Sequence, residues 1–529
     1  MRKLVICLWL ATMFGCQGDP NKPDYWVSKL GSKRFQEKVD AANWLRRNKD
    51  VQAAPQIAAL LKDEDPRVRA AAANALGELG DKSVVPQLID AVDFSAGAGS
   101  DRDTRAVNEA NRQIAKALGA LGDHRAAPIL LKMLTSKDSF VKLEAVEALG
   151  ELKEPTAVAA LMAIATDDNQ EPFIAKKAII ALGRIGDPQS VPALEKMLFR
   201  ERSGISFYPQ ASFALFQIGE PAATPLIALL EGRDKDMEKW ASENKIIPEA
   251  LYAKTAQVLG DIADPRSEKA LIAKLKYNEG DFKLLVRSAA AESLGRMRDK
   301  AAAPVIALML GEEEANIRDS YGRALVMIGD PSVLPMLLKA AQLGSWDARE
   351  GSIHAFSNLA PGKELATVQK IAQAEPARWL KECTDAGNEK PECEKVWPDH
   401  KKQLDAHLAR LKAAADCNED LTCWQGKLKD PSGAVRERAG WQLGHMGKAE
   451  AIPTMIANLQ DEDLYARFAT VTALSWLLAM PEGKPQSQAA ADKLHTILDQ
   501  EEGKQYYIKV DEDLRRLAAK LDQSTAKRS

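Results

Sequence analysis

Asp65-Pro66-Arg67-Val68-Arg69-Ala70-Ala71-Ala72-Ala73-Asn74-Ala75-Leu76-Gly77-Glu78-Leu79-Gly80-Asp81 decides how this chain is read. Its last seven residues recur as Ala117-Leu118-Gly119-Ala120-Leu121-Gly122-Asp123 and as Ala181-Leu182-Gly183-Arg184-Ile185-Gly186-Asp187. Looser copies stand at Leu259-Gly260, Leu294-Gly295 and Leu443-Gly444. A phrase returning at a fixed interval is the mark of a repeat array. With Gly77 and its equivalents as markers, units fall at positions 46, 77, 119, 150, 183, 216, 260, 295, 326, 357, 444 and 475. The base period is 31 residues, and the longer intervals are that period plus insertions.

Three other positions keep phase, each for a physical reason. Four residues after the marker comes an acid: Asp50, Asp81, Asp123, Glu154, Asp187, Glu220, Asp264, Asp299 and Asp330. An acid between two helices caps the second and suits its positive end. Nine residues after the marker comes Pro55, Pro86, Pro128, Pro192, Pro225, Pro304, Pro335 or Pro453. Proline is tolerated in the first turn of a helix, where its missing N–H had no partner. Eight residues before the marker sits Lys38, Arg69, Lys142, Arg287, Arg318, Arg349, Arg436 or Arg467.

Each unit therefore reads as an A helix ending near the marker, a Gly/Asp turn and a proline-started B helix. In the second unit Val68, Ala71, Ala72, Ala75, Leu76 and Leu79 recur at spacings of three and four, as do Val85, Leu88, Ile89 and Val92. One such hairpin cannot bury its own face and must stack on its neighbours. The helix pair, the Asp65–Arg69 phrase, the Ala75–Asp81 phrase and the B-helix proline resemble HEAT repeats over residues 34–376 and 429–500. The fold expected is all-α: an α-solenoid of about twelve HEAT-like hairpins with a cysteine-containing helical insertion. The resemblance also implies a ladder between repeats through Arg69, Asp81 and their counterparts, and a concave face on the B-helix side.

Composition agrees. Aromatics are 6% of residues, 28% are charged, and the formal net charge is -3, so no basic stripe for phosphate is present and no nucleic-acid partner is expected. At the N-terminus Arg2-Lys3 precedes an apolar run, Leu4 to Phe14, of signal-peptide length. It closes on Gly15-Cys16, which resembles a bacterial lipoprotein leader, with Met13 and Phe14 standing where that family has Leu and a small residue. Residues 1–15 are then a signal peptide, Cys16 is lipidated, and 16–33 is a tether. A plain signal peptide or an uncleaved anchor are the alternatives. Gln17, rather than Asp, follows the Cys, and this points to the outer membrane facing the periplasm.

Insertions on a regular scaffold map to its loops. Phe94 to Asp103 reads as a flexible loop, and Glu231 to Ile247 as a charged helical extension around Met237 and Trp240. The main interruption, 377–428, holds Cys383, Cys393, Cys417 and Cys423 with Trp379, Trp397 and Trp424. The spacings are not those of paired zinc ligands, and an exported chain favours two disulfides. Local pairing and nested pairing both remain open. Leu404, Leu408 and Leu411 mark a helix in this segment, pictured as a stapled protrusion, and 429–522 completes the array.

No H-E-x-x-H, P-loop or G-x-S-x-G motif occurs, and the six histidines are dispersed. His400 and His407 share a helix face and read as surface residues. Neither metal nor cofactor is expected, and no catalytic residue is assigned. The expected function is a non-catalytic scaffold that binds a protein partner of unknown identity and reaches a membrane through its lipid. A lyase-type enzyme related to bilin lyases built on such repeats, or a purely structural envelope component, are the alternatives. On the B helices, positions one and four after the proline face outward, and Leu226, Leu229, Val305, Leu308 and Met336 make the candidate partner surface. Burial of these residues by inserted segments is the competing reading.

Overall fold

A computed structural model describes residues 19–95, 101–312, 315–343, 345–501 and 508–526. The leader, Cys16 and most of the Gly-rich stretch after Ser95 lie outside the described residues. The chain forms two compact units, Met1–Ile218 and Gly219–Ser529. Both are built from the same hairpin. Apart from one short antiparallel pair, Glu201–Arg202 with Ile205–Ser206, every described element is helical.

The second repeat shows how sequence makes the hairpin. Asp65 caps helix Pro66–Leu79 by accepting from the Arg67 backbone N–H, and Pro66 occupies its first turn. Gly80, at φ 77°, ends the helix in the left-handed region that glycine enters without strain. Asp81 then accepts from the N–H of Ser83 and caps a single 3₁₀ turn, Lys82–Val84, before the proline-led helix Val85–Asp90. The same acid-capped turn recurs at Asp123, Glu154, Asp187, Asp264 and Asp330. Val68, Ala72, Ala75, Leu76 and Leu88 are all fully buried, and each large aliphatic side chain so buried contributes about 1.5–3 kcal/mol.

The marker glycines set the stacking distance. A Cβ on Gly77 would lie 2.9 Å from Cα of Ala117, and one on Gly119 2.9 Å from Cα of Ala148. One on Gly150 would lie 2.8 Å from Cβ of Ala181, and one on Gly444 2.5 Å from Cβ of Ala473. The A helix of one repeat thus rests its glycine on the small residue two places before the next marker, so no side chain fits between them. This accounts for both the phrase and its alanines.

The implied ladder has different rungs. Arg69 donates to the carbonyl of Asp63 at 3.0 Å and pairs with Asp93 at 3.5 Å. Lys38 pairs with Asp63 at 2.5 Å, and Arg436 with Asp461 at 2.7 Å. The basic residue lies in the early turns of its helix, beside the acidic turn between repeats. Asp81 lies past the far end, about 18 Å along the axis at 1.5 Å per residue, and serves only as a cap.

Other boundaries also shift. The proposed tether is helical over Pro23–Lys29, where Trp26 stacks on Trp44 at 5.7 Å, because Pro23 starts a turn whose aromatics find the first A helix. Within the stretch read as a loop at 94–103, Asp101 caps the A helix Arg102–Leu121, which begins about two turns early. The charged insertion forms its own helix, Lys235–Glu243. The cysteine segment is not a protrusion. Its helix Lys390–Cys417 packs between Trp346–Leu359 and Gly433–Met446 as a further layer of the stack.

Candidate interaction surface

The B-helix patch divides. Leu226 and Leu229 are fully buried, which removes them from the partner surface. Their helix, Glu220–Leu230, starts without the usual 3₁₀ turn, carries Pro225 internally, and packs against Lys235–Glu243 and Pro248–Ile262. Leu308 is 54% exposed, and Val305 and Met336 are half-buried, so these three remain an accessible apolar patch.

The A-helix face has a row that sequence reading passed over: the residue one after each marker. In the first unit Arg47, Glu78, Ala120, Glu151 and Arg184 are exposed, with Glu78 reached by Arg46 at 2.5 Å. Lys177 and Glu147 form an ion pair on neighbouring A helices of this unit. In the second unit the same row is Asp261, Arg296, Met327, Asn358, His445 and Trp476, and none of these is exposed. Four of them, Asp261, Arg296, His445 and Trp476, face residues far away in the chain. Arg296 donates twice to Asp513, at 2.9 and 3.1 Å, and Arg516 pairs with Asp261 at 2.9 Å. Nε2 of His445 meets the Val326 carbonyl at 2.9 Å, and Arg298 lies over the Trp476 ring at 4.6 Å. The second unit therefore closes on itself through its A helices, so the inward face there belongs to A and not to B.

Near this closure four A helices, Trp346–Leu359, Lys390–Cys417, Gly433–Met446 and Leu464–Ala479, and the B helix Leu365–Asp385 send polar groups to one buried junction. The Arg410 guanidinium donates to Nδ1 of His407 at 2.9 Å. An arginine only donates, so Nδ1 carries no proton and Nε2–H donates to Glu350 at 3.2 Å. Burial, with Arg410 adjacent, pushes His407 down to about 4. Burial pushes Glu350 up, but the hydrogen bond from His407 and the nearby positive groups outweigh it and hold the carboxyl at about 2. Glu437 accepts from Arg410 at 2.6 Å and contacts His354 at 3.1 Å. Its burial is outweighed by these neighbours, which keep it ionised. Tyr465, 48% exposed, lies beside His354 with ring centroids 6.3 Å apart. Arg349, fully buried, adds pairs to Glu375 and Glu382.

His400 and His407 do share a helix face, but it is turned inward. His400 packs against Trp346 and Trp379, each at 4.3 Å. The chemistry of the junction is ion pairing, which locks the inserted layer between its neighbours. Among the described residues no group of three or more His, Cys, Asp or Glu is arranged to hold a metal ion. The cysteines pair locally: Cys383 with Cys393 and Cys417 with Cys423, at Cα separations of 5.9 and 5.3 Å. Each bridge ties one end of helix Lys390–Cys417 to the adjoining helix, Leu365–Asp385 or Leu421–Lys427. Trp424 is buried and donates to the Asn418 carbonyl at 2.8 Å.

Comparison with known proteins agrees with this geometry. A family model described as HEAT repeats matches residues 24–98, 102–173, 141–206 and 425–505, and one described as PBS lyase HEAT-like repeat matches 286–311. No curated protein matches. Among solved structures the chain is similar to importin beta in an ammonium sulfate condition, at 13% identity and a TM-score of 0.43, covering 100% of this chain and 76% of that one. It is similar to the Kap95:Nup1 complex at 12% identity and a TM-score of 0.45, covering 96% and 73%. Human deoxyhypusine hydroxylase in complex with glycerol is similar over 54% of this chain and 98% of its own, at 22% identity and a TM-score of 0.22. The in-phase caps, the glycine-on-alanine stacking and the matched repeats lead to one assignment: this chain belongs to the HEAT-repeat family.

Proposed function

We propose that the chain is a non-catalytic protein-binding scaffold, exported and held at a bacterial envelope membrane through lipid on Cys16. The observation that carries the binding role is the row one after each marker. In the second unit this row is buried against protein, the chain's own helices. In the first unit the equivalent row offers Arg47, Glu78, Glu151 and Arg184 to solvent. Mixed charge on an open helical face fits a folded polypeptide of complementary charge and not a polyanion. The patch at Val305, Leu308 and Met336 is a second contact on the other helix layer.

Photo-crosslinking residues placed at Glu78, Glu151 and Arg184 in living cells test this reading. One and the same partner should be captured from all three positions. Scattered capture of abundant proteins, or none, would overturn it. Export and anchoring are tested by palmitate labelling and membrane fractionation, with both signals lost on Cys16→Ser. The match to a PBS lyase HEAT-like repeat keeps a second, enzymatic reading in view. A chromophore that copurifies with the chain, or is released by it, would favour that reading.

A further inference from the structure

The closure of the second unit has an unusual composition. The interior on the side of the last helix is apolar: Leu514, Leu517, Ala518 and Leu521 of helix Ile508–Ala526 join Val471, Leu474, Leu478, Leu494 and Ile497 in one core. The seam itself is polar. It consists of Arg296–Asp513, Asp261–Arg516, Arg298 with His445 at 3.5 Å, His445 with the Val326 carbonyl, and Arg298 over Trp476. Asp513 and Arg516 lie three apart, on the same side of the last helix. Arg298 adopts φ 56° at a helix end, as Lys49, Lys153 and Ala263 do at the same place in other repeats. A buried ion pair gives little net stability over an apolar contact of similar volume, because desolvation offsets its attraction. A contact that is weakly held suits opening better than permanent closure.

We propose that the second unit is a ring that opens at this seam, and that the uncovered Asp261/Arg296/Arg298 surface then receives a partner helix bearing an acid and, three residues later, an arginine. The chain's own last helix holds that place in the closed state. The proposal rests on the protein-binding reading only in calling the incoming helix a partner. Ring opening itself is read on purified protein.

The full chain, with Cys7 and Cys16 replaced by Ser, carries spin labels at Lys269→Cys and Arg515→Cys, both exposed and on opposite sides of the seam. Wild type should give one short distance. Asp513→Lys should lengthen and broaden it, and Arg296→Asp combined with Asp513→Arg should restore it. A labelled peptide of residues 508–526 should bind the Asp513→Lys chain about tenfold or more tighter than wild type, because a closed ring lowers apparent affinity by its open fraction. The same peptide with its Asp513 and Arg516 charges reversed should not bind. An unchanged distance in Asp513→Lys overturns the proposal. So does loss of helical content in that variant, since the seam would then be part of one cooperative core. Binding of both peptides alike also overturns it, because recognition would not be by the charge pair. If opening occurs while no partner is captured in cells from the first unit, the binding reading fails and the ring stands.

Discussion

Two regions of this molecule use the same hairpin, with the same glycine-on-alanine contact and the same acid-capped turn, to opposite ends. In Met1–Ile218 five of the six residues that follow a marker are exposed, Glu78 at 54%, while Gln217 is half-buried. In Gly219–Ser529 the row meets distant helices, and the Asp261 side chain is 7% exposed. The repeats do not differ in their stacking rule. They differ in what lies opposite: the second unit contains the cysteine-bridged layer Lys390–Cys417 and a last helix that returns 217 residues to Arg296. A solenoid's curvature is the sum of small rotations per repeat, so an added layer and a terminal helix can convert an open face into a closed one. The lesson concerns surfaces: equivalent positions in a repeat protein are not equivalent binding sites.

The comparison can be broken at three points, and the largest effect is expected at Leu229. Leu229→Glu places a carboxylate in a fully buried position and should cost more than about 4 kcal/mol. Leu308→Glu, at an exposed position on the same helix layer, should stay within about 0.5 kcal/mol. Thermal denaturation of both variants checks this, and similar melting temperatures would remove the distinction between core and patch.

A smaller effect should separate charge pairs in the two regions. Glu437→Ala leaves Arg410 and His354 buried without their carboxylate and should cost about 3–5 kcal/mol. Glu78→Ala removes a carboxylate paired with Arg46 at the surface and should cost under about 1 kcal/mol. Urea titration of each variant gives the two numbers. Equal costs would mean that the junction is hydrated.

Acid should act mainly on the second unit. His407, at about 4 in the folded chain against 6.5 ordinarily, binds its proton less readily folded than unfolded. The unfolded state therefore takes up more protons, and stability is lost as pH falls from about 6.5 towards 4. The displacement corresponds to up to about 3 kcal/mol. Among the described residues the first unit has only His124, which is exposed. Hydrogen exchange at pH 7 and pH 5 should thus show weaker protection around Lys390–Cys417 and little change in the first unit. A uniform loss would show that His407 is not the cause.

Much of this was legible in the residues. Asp81 as a cap, Pro86 in the first helical turn and the buried Val68, Leu76 and Leu88 all follow from short-range spacing. The exposure of Leu308 followed from its place after Pro304, yet the same rule failed at Leu226 and Leu229. There the turn chemistry changes at Gly219-Glu220 and an inserted helix covers the face. His354, His407 and Glu437 looked dispersed because they are 30 to 83 residues apart. Nothing local marks residues that meet only through stacked layers. The basic position eight before the marker was visible, but its partner was misassigned because phase along the chain does not tell which end of the helix lies near which acid.

The sequence by itself determined the repeat, its caps, its close-packed glycine face and the site of its main interruption. These depend on contacts three, four or about thirty residues apart, which a single periodic chain displays. Only the tertiary structure decided that the cysteines pair locally, that the interrupting helix becomes a layer, and that one A-helix face is open while the other is sealed by Asp513 and Arg516. Those outcomes depend on rotation accumulated over many repeats, to which each residue contributes little and which no single residue encodes.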